Sequence, residues 1–273
     1  MELIVFDLDG TLLNGDSTIS SYTEETLQLL ANKGIAYTVA TGRTLHGSRS
    51  VLKGHGFTLP QAFKNGVMIW HPTTNAFSHR NVLTPDELSH VTQACHNNGV
   101  TPFVFTIEAG DRHVAYYGQL KTEAEERLEA VYLKKSGIIC RSVDDLADDA
   151  EIINVSSIGE RAAIVGVADF VADEAHLVAY SGPAHEGNDL YWIDIHHSNA
   201  SKGLAIETLR ELVGARKIIC FGDSDNDLSM FEAADECYAP DNAKPHIKTA
   251  ATAVIGHHDE EGIARFLRDR FQL

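Results

Sequence analysis

The sequence has no long hydrophobic run. Nowhere in its 273 residues does it contain the roughly 18 consecutive apolar residues that a membrane-spanning helix needs. A predicted strand begins at residue 3, which leaves no room for the charged segment and apolar core of a signal peptide. We therefore expect a cytoplasmic protein without membrane partners.

Cysteines and basic residues are also scarce. The four cysteines are spaced singly, without a Cys-x-x-Cys pair, so we expect neither a disulfide framework nor a cysteine zinc site. Only 22 Lys and Arg residues stand against 39 Asp and Glu residues, which gives a formal net charge of −17. This charge disfavours nucleic-acid binding, and it would repel a phosphorylated small molecule unless a cation and local basic groups offset it.

The most informative stretch lies at the start of the chain. Residues 3–6 are an apolar run typical of a strand buried on both faces of a parallel sheet. Asp7 and Asp9 follow, with side chains on the same side of an extended chain, and Gly10 lets the backbone turn away. Ligands of open α/β sheets gather at the carboxyl ends of strands, so this pair is a candidate site. Alone, it could equally be a solvated acidic turn.

Three later segments place polar residues at the ends of further predicted elements. They are Thr41, Gly42 and Arg43 after strand 35–40, Lys202 at the start of a helix, and Asp223, Asn226 and Asp227 after strand 217–221. Each segment alone has a structural explanation as an ordinary turn or a surface lysine. Their occurrence together, in this order, predicts one functional site.

The length and the pattern of elements predict two domains. With 44% apolar residues, the chain can build a substantial core. Alternating strands and helices at both ends predict an α/β fold, a Rossmann-like core with a parallel sheet, in segments 1–82 and 188–273. Residues 83–187 mix short antiparallel hairpins with helices, which predicts an inserted α+β cap.

The residue types at these strand ends suit attack on a phosphate monoester. Asp7 can act as the nucleophile, and Asp9 can protonate the leaving alcohol and later deprotonate water. With Asp223 nearby, the carboxylates would repel one another without a hard divalent cation, and Mg²⁺ is the natural occupant. Groups that can contact the phosphoryl oxygens are supplied by Thr41, Gly42 and Lys202.

The full set of motifs resembles the Cof-type, class IIB phosphatases of the haloacid dehalogenase superfamily over nearly the whole chain. The motifs that carry the resemblance are Asp7-x-Asp9-Gly10-Thr11-Leu12, Ala40-Thr41-Gly42-Arg43, Ser201-Lys202-Gly203 and Gly222-Asp223-x-x-Asn226-Asp227. The resemblance implies a Rossmann-like core and a mobile cap inserted between the second and third motifs. The chain departs from the usual pattern before Lys202, where residues 198–200 replace a glycine–valine pair.

The same resemblance implies roles for individual residues. Mg²⁺ would be held by Asp7, the backbone carbonyl of Asp9, and Asp223. Asn226 would lie near the substrate or its phosphate. Asp227 would support the metal without binding it directly, and we assign a supporting role to Arg43 as well.

Three functions are consistent with these motifs. The first is a Mg²⁺-dependent phosphatase of small phosphorylated metabolites, with sugar phosphates as the expected class. The second is a phosphomutase acting on hexose phosphates, and the third is a catalytically silent module that binds a phosphorylated ligand. A mutase needs arginines that grip a second phosphate, and the predicted cap has only Arg112, Arg127, Arg141 and Arg161. The phosphatase is therefore the preferred prediction.

Overall fold

The computed structural model describes residues 1–108, 112–133, 138–184 and 189–273. The chain divides into two compact units. The first comprises Met1–His79 and Ala200–Leu273, and the second comprises Arg80–Asn199. Within the described ranges, no helix combines the length and the apolar character needed to cross a bilayer.

Strands and helices follow one another along the whole chain. In chain order the strands are β1 (Glu2–Phe6), β2 (Ala36–Val39), β3 (Gln61–Phe63), β4 (Met68–His71), β5 (Ala76–Arg80), β6 (Phe103–Glu108), β7 (Arg112–Tyr117), β8 (Ile139–Ser142), β9 (Glu151–Glu160), β10 (Leu177–Pro183), β11 (Leu190–His197), β12 (Lys217–Phe221), β13 (Glu236–Pro240) and β14 (Ala253–Ile255). The helices are α1 (Ser21–Asn32), α2 (Leu45–Leu52), α3 (Pro85–Asn97), α4 (Glu123–Arg127), α5 (Arg161–Val171), α6 (Lys202–Val213), α7 (Leu228–Ala233), α8 (Pro245–Ala250) and α9 (Gly262–Phe271).

The first unit is built on a parallel sheet with the strand order β14-β13-β12-β1-β2. After their first residues, Glu2 and Lys217, the central strands β1 and β12 are apolar because both faces of the sheet are covered. On one face, Val5 and Cys220 pack in a core cluster with residues of α6 and α7. On the other face, the rings of Phe6 and Phe221 stack with centroids 5.4 Å apart, and Phe266 of α9 packs against Phe221. The predicted α/β core with a parallel sheet is confirmed.

A small sheet of β3, β4 and β5 completes the first unit. Strand β3 runs beside the end of β2, where the Thr41 N–H donates to the Ala62 carbonyl at 3.0 Å. Between β3 and β4 the chain makes a tight turn in which Lys64 and Asn65 both have left-handed backbones, with φ of 48° and 55°. This turn therefore lies directly beside the segment that follows β2.

The second unit is an α+β unit with the strand order β10-β11-β9-β6-β7-β8. All its pairs are antiparallel except β7 with β8. Apolar residues on one face of the sheet pack with those of α3 and α5. The turn predicted to join β6 and β7 lies at residues 109–111, outside the described residues.

The end of the second unit differs from the predicted cap boundary. The sequence analysis ends the cap at residue 187, which is outside the described residues, and assigns 188–273 to the core. Strand β11 instead pairs with β9 and β10, so the second unit extends to Asn199. The sequence of a short strand shows its alternation but not the sheet it joins, and this accounts for the difference of about one strand length.

Candidate active site

The carboxyl ends of three neighbouring strands meet at one edge of the parallel sheet. Asp7 directly follows β1, Thr41 lies just beyond β2, and Asp223 lies just beyond β12. The Asp7 N–H donates to the Phe221 carbonyl at 3.0 Å, which ties the end of β1 to the end of β12. The sheet therefore brings together the side chains that the sequence places more than 200 residues apart.

A buried ion-pair network lies at this edge. Carboxylate oxygens of Asp7, Asp223 and Asp227 all lie within 4.8 Å of one another. Lys202, the first residue of α6, is fully buried, and its Nζ donates to Asp7 Oδ1 and to Asp227 Oδ1, each at 2.6 Å. Asp227 Oδ2 accepts from the backbone N–H groups of Asp223 and Ser224, at 2.9 and 3.0 Å. Asp227 is thus hydrogen-bonded on both oxygens and fixes the position of Lys202.

The electrostatics of the cluster favour binding of a cation. Burial raises the pKa of Asp7 well above its usual range, the Lys202 ammonium opposes this, and Asp227 and Asp223 add to it. Burial and the neighbouring Asp227 raise the pKa of Asp223 to about 6. Burial alone would lower the pKa of Lys202, but Asp227 and Asp7 outweigh it and raise that pKa. A cation would replace the protons that these carboxylates otherwise attract.

The turn after Asp7 needs a glycine. Gly10 has φ of +69°, a left-handed conformation, and a Cβ at this position would lie 2.6 Å from Asp223 Oδ2. The next residue, Thr11, donates its hydroxyl to Asp223 Oδ1 at 3.2 Å. The turn therefore packs against the Asp223 carboxylate, and any side chain at residue 10 would displace it.

Asp9 lies apart from the carboxylate cluster and pairs with Arg43. The guanidinium donates from Nε to Oδ2 at 2.7 Å and from NH2 to Oδ1 at 2.5 Å, which is a bidentate contact. The Asp9 side chain is 57% exposed, against 23% for Arg43. The hydrogen bond to Asp9 raises the pKa of Arg43. Arg43 therefore holds the Asp9 carboxylate in one orientation at the open side of the site.

The remaining predicted site residues lie beside a residue that the sequence analysis missed. Asn226 Nδ2 donates to Asn65 Oδ1 at 2.9 Å, and a Cβ on Gly42 would lie 3.3 Å from that same oxygen. Thr41 is buried, and its Oγ1 accepts from the Arg43 N–H at 3.1 Å. The signal for Asn65 was the Asn-Gly pair after β3, which indicates a left-handed turn at the same sheet edge.

Three residues near the end of the chain make hydrogen bonds with the turn at Gly10 and the loop that follows it. Asn242 Nδ2 donates to the Gly10 carbonyl at 2.7 Å, and His258 Nδ1 lies 2.8 Å from the Leu13 carbonyl, to which it donates. Asp259 Oδ1 accepts from the Gly15 N–H at 2.6 Å. The sequence analysis missed all three, because these contacts join residues more than 230 positions apart and follow no local pattern.

Comparison with known proteins gives one consistent result. A sequence model of the haloacid dehalogenase-like hydrolases matches residues 4–267. The chain is 26% identical over 283 residues to the 5-amino-6-(5-phospho-D-ribitylamino)uracil phosphatase YitU of Bacillus subtilis, covering 99% of this chain and 98% of that protein.

Solved structures share the fold. A haloacid dehalogenase-like hydrolase from Bacteroides thetaiotaomicron superposes with a TM-score of 0.79 and 22% identity, covering 99% of each chain. A HAD subclass IIB sugar phosphatase superposes with a TM-score of 0.78 and 21% identity, covering 100% of this chain and 99% of the other.

Proposed function

This chain belongs to the haloacid dehalogenase-like hydrolases, and from that membership we propose a Mg²⁺-dependent phosphatase of small phosphorylated metabolites, with sugar and polyol phosphates as the substrate class. The predicted family and the predicted enzyme class, a phosphoric monoester hydrolase, are confirmed by the match of residues 4–267 and by the phosphatase relatives. The observation that carries the finer proposal is the buried cluster of Asp7, Lys202, Asp223 and Asp227 at the strand ends. A cytoplasmic location, and the absence of nucleic-acid and membrane partners, stay predictions.

The donor set of the cluster fits Mg²⁺. Three ionised carboxylates against one ammonium leave two negative charges (3 − 1), which a divalent cation would balance. Carboxylate and carbonyl oxygens are the ligands that Mg²⁺ prefers. Because Asp227 is occupied by Lys202 and two backbone N–H groups, we assign the metal to Asp7, Asp223 and the carbonyl of Asp9. When bound, Mg²⁺ would neutralise charge on the transferring phosphoryl group.

Asp7 is the nucleophile in this proposal. Its Oδ1 is held by Lys202, so we assign Oδ2 to the attack on phosphorus. The new bond joins Oδ2 to phosphorus, and the bond from phosphorus to the leaving-group oxygen breaks. Lys202 keeps the carboxylate oriented and supplies positive charge next to the phosphoryl oxygens. The Thr41 hydroxyl, the Gly42 N–H and the Asn226 amide are assigned to the same oxygens.

Asp9 handles the proton in both half-reactions. As an acid it gives its proton to the departing alkoxide, and as a carboxylate it then takes a proton from the water that attacks the phosphorus. This second attack breaks the bond between Asp7 and phosphorus and releases inorganic phosphate. The bidentate contact of Asp9 with Arg43 orients the carboxylate for this proton transfer. One of the two hydrogen bonds must break when Asp9 carries the proton.

The relatives support the substrate class. YitU, by its name, removes phosphate from a phosphorylated ribityl group, and the chain matches it from end to end. We therefore place polyol and sugar phosphates first among the substrates of this chain.

The described structure contains no observation that favours the phosphomutase. Each arginine of segment 83–187 already has a contact: Arg112 and Arg141 with Glu108, Arg127 with Glu123, and Arg161 over the ring of Tyr191. A grip on a second phosphate would have to break one of these contacts. The silent binding module is set aside because the chain is a hydrolase by family.

Hydrolysis of p-nitrophenyl phosphate, with Mg²⁺ and with EDTA, tests the proposal. We expect phosphate release only with the metal. Asp7→Asn should abolish turnover because an amide does not attack phosphorus, and Asp9→Asn should lower kcat for a sugar phosphate by about 10²–10⁴-fold. Asp16→Asn, an exposed aspartate of the same loop, is the matched control and should be neutral. Undiminished turnover in EDTA, or in Asp7→Asn, would contradict the proposal.

A further inference from the structure

A cluster of two histidines and one aspartate lies near the end of the chain, in the first unit. One ring nitrogen of each of His257 and His258, and one carboxylate oxygen of Asp259, lie within 4.8 Å of one another. None of the three belongs to the carboxylate cluster that we assign to Mg²⁺. Two imidazoles and a carboxylate are ligands typical of Zn²⁺ and similar transition-metal ions, whereas Mg²⁺ prefers oxygen ligands. The two clusters therefore differ in the metal ion that they would select.

The hydrogen bond of His258 fixes its ring in the form that a metal ion needs. His258 Nδ1 lies 2.8 Å from the Leu13 carbonyl, which can only accept, so Nδ1 carries the proton. In the neutral ring the lone pair is then on Nε2. Histidines that bind metals commonly donate their other N–H group to a backbone carbonyl or a carboxylate in this way. His258 thus presents Nε2 as a ligand before any ion binds.

Asp259 presents one oxygen to the same place. Its Oδ1 accepts from the Gly15 N–H at 2.6 Å, and its Oδ2 lies 3.5 Å from His258 Nε2. A carboxylate oxygen and an imidazole lone pair are both acceptors, so a cation is needed between them. Two ligands of a tetrahedral ion, each bound at about 2.0–2.1 Å, lie about 3.3 Å apart. The gap between His258 and Asp259 therefore has the width of one metal ion.

His257 completes the set of ligands. Its Nδ1 accepts from the Asp259 N–H at 3.2 Å, so this nitrogen carries a lone pair. A metal ion bound there would replace a long hydrogen bond. Three protein ligands leave the fourth tetrahedral position to water. The Asp259 side chain is 47% exposed, so an ion can enter from solvent, and the net charge of −17 favours the approach of a cation.

We propose that His257, His258 and Asp259 form a second metal site, which binds a transition-metal ion of the Zn²⁺ type. The inference goes beyond the proposed phosphatase and does not depend on it, because the two clusters share no ligand. His258 and Asp259 also hydrogen-bond Leu13 and Gly15, so an ion held by them fastens the end of the chain to the loop that follows the Gly10 turn. The role of the ion is to stabilise this part of the first unit.

Calorimetric titration of the full chain with ZnCl₂ tests the site. Excess Mg²⁺ occupies the carboxylate cluster, and a pH of about 7.5 keeps the imidazoles neutral. We expect one Zn²⁺ per chain, bound at least about tenfold more weakly by His258→Gln and by Asp259→Asn. Asp259→Asn keeps an oxygen for the Gly15 N–H, so it tests the metal ligand and not the contact with the loop.

His246→Gln is the matched control. His246 Nε2 pairs with Asp225 at 2.6 Å, but within the described ranges this pair belongs to no group of three metal ligands. The substitution should leave the affinity for Zn²⁺ unchanged.

A second measurement uses the melting temperature. Zn²⁺ should raise it in the unaltered protein and in His246→Gln, but not in Asp259→Asn, because only a folded chain with the site intact gains from the ion. No Zn²⁺ binding by the unaltered protein, or equal affinity in His258→Gln and Asp259→Asn, would overturn the inference. Binding lost in Asp223→Asn but kept in Asp259→Asn would assign the ion to the carboxylate cluster and also overturn it. Neither measurement uses a substrate, so failure of the phosphatase proposal would not affect the result.

Discussion

Replacing Lys202 with methionine should destabilise the first unit by about 3–5 kcal/mol. The ammonium is fully buried and contacts Asp7 and Asp227 at 2.6 Å each. At an effective dielectric constant of about 20, each contact carries about 6 kcal/mol of Coulomb attraction, and desolvation of the buried charges offsets much of it. Methionine keeps the side-chain volume but leaves two buried carboxylates without their cation, and an uncompensated buried charge is strongly destabilising.

The stability lost in Lys202→Met should depend on pH in a defined direction. Asp227 and Asp7 raise the pKa of Lys202 in the folded chain, so its contribution is fully present below its ordinary pKa of 10.5 and is lost only as the pH rises through the folded value. In the variant, burial keeps the pKa of Asp7 raised and no ammonium opposes the shift. The protonated carboxyl is neutral, so the deficit should be largest at neutral and mildly alkaline pH and should shrink on acidification.

Urea unfolding measures this loss unit by unit. Trp70 lies in the first unit and Trp192 in the second, so in a Trp192→Phe background the emission of Trp70 reports on the first unit. The same substitution at Lys248, which is 29% exposed and pairs with Asp241 at 2.7 Å, is the matched control and should cost at most about 1 kcal/mol. A loss for Lys202→Met no larger than that of the control would refute the reasoning.

Three further predictions concern the metal and the proton. Because the pKa of Asp223 is raised to about 6, Mg²⁺ binding measured by calorimetry should weaken at least about tenfold from pH 7 to pH 5, and equal affinities would contradict the assignment. Gly10→Ala should weaken Mg²⁺ binding because its Cβ would displace the Asp223 carboxylate. Gly34→Ala is the control: with φ of +70° it incurs the same backbone strain of about 1–2 kcal/mol, but no atom lies within 4 Å of its Cβ, so Mg²⁺ binding should be unchanged. Arg43→Met should change the free energy of unfolding by less than about 1 kcal/mol, since the pair of Arg43 with Asp9 is partly exposed. It should slow hydrolysis of a sugar phosphate more than that of p-nitrophenyl phosphate, whose leaving group needs no proton. Equal losses of rate for the two esters would argue against a positioning role for Arg43.

The positions of the strand-end residues could be predicted because a parallel sheet leaves little choice. Each strand that runs out of a buried apolar stretch into polar residues must deliver them to the same edge, and β1, β2 and β12 are neighbours in the sheet. Only the local pattern at Asp7, Thr41 and Asp223 was needed. Their roles in catalysis stay predictions, which the variants above test.

The features that could not be predicted from the sequence are contacts between segments that are distant along the chain. Asn65 reaches Asn226 only because β3 runs beside β2, and a turn sequence alone does not specify that pairing. His258 hydrogen-bonds the backbone carbonyl of Leu13, and because every residue has a carbonyl, the loop sequence does not indicate this contact. The boundary predicted at residue 187 separates β11 from β9 and β10, with which it pairs, because the partners of a strand are set by the sheet and not by its own residues.

The proposed attack on phosphorus requires rigid placement of the reacting groups in the first unit. Attack on phosphorus needs the reacting groups held to within about 0.5 Å, and the parallel sheet with its buried Lys202 network provides that rigidity.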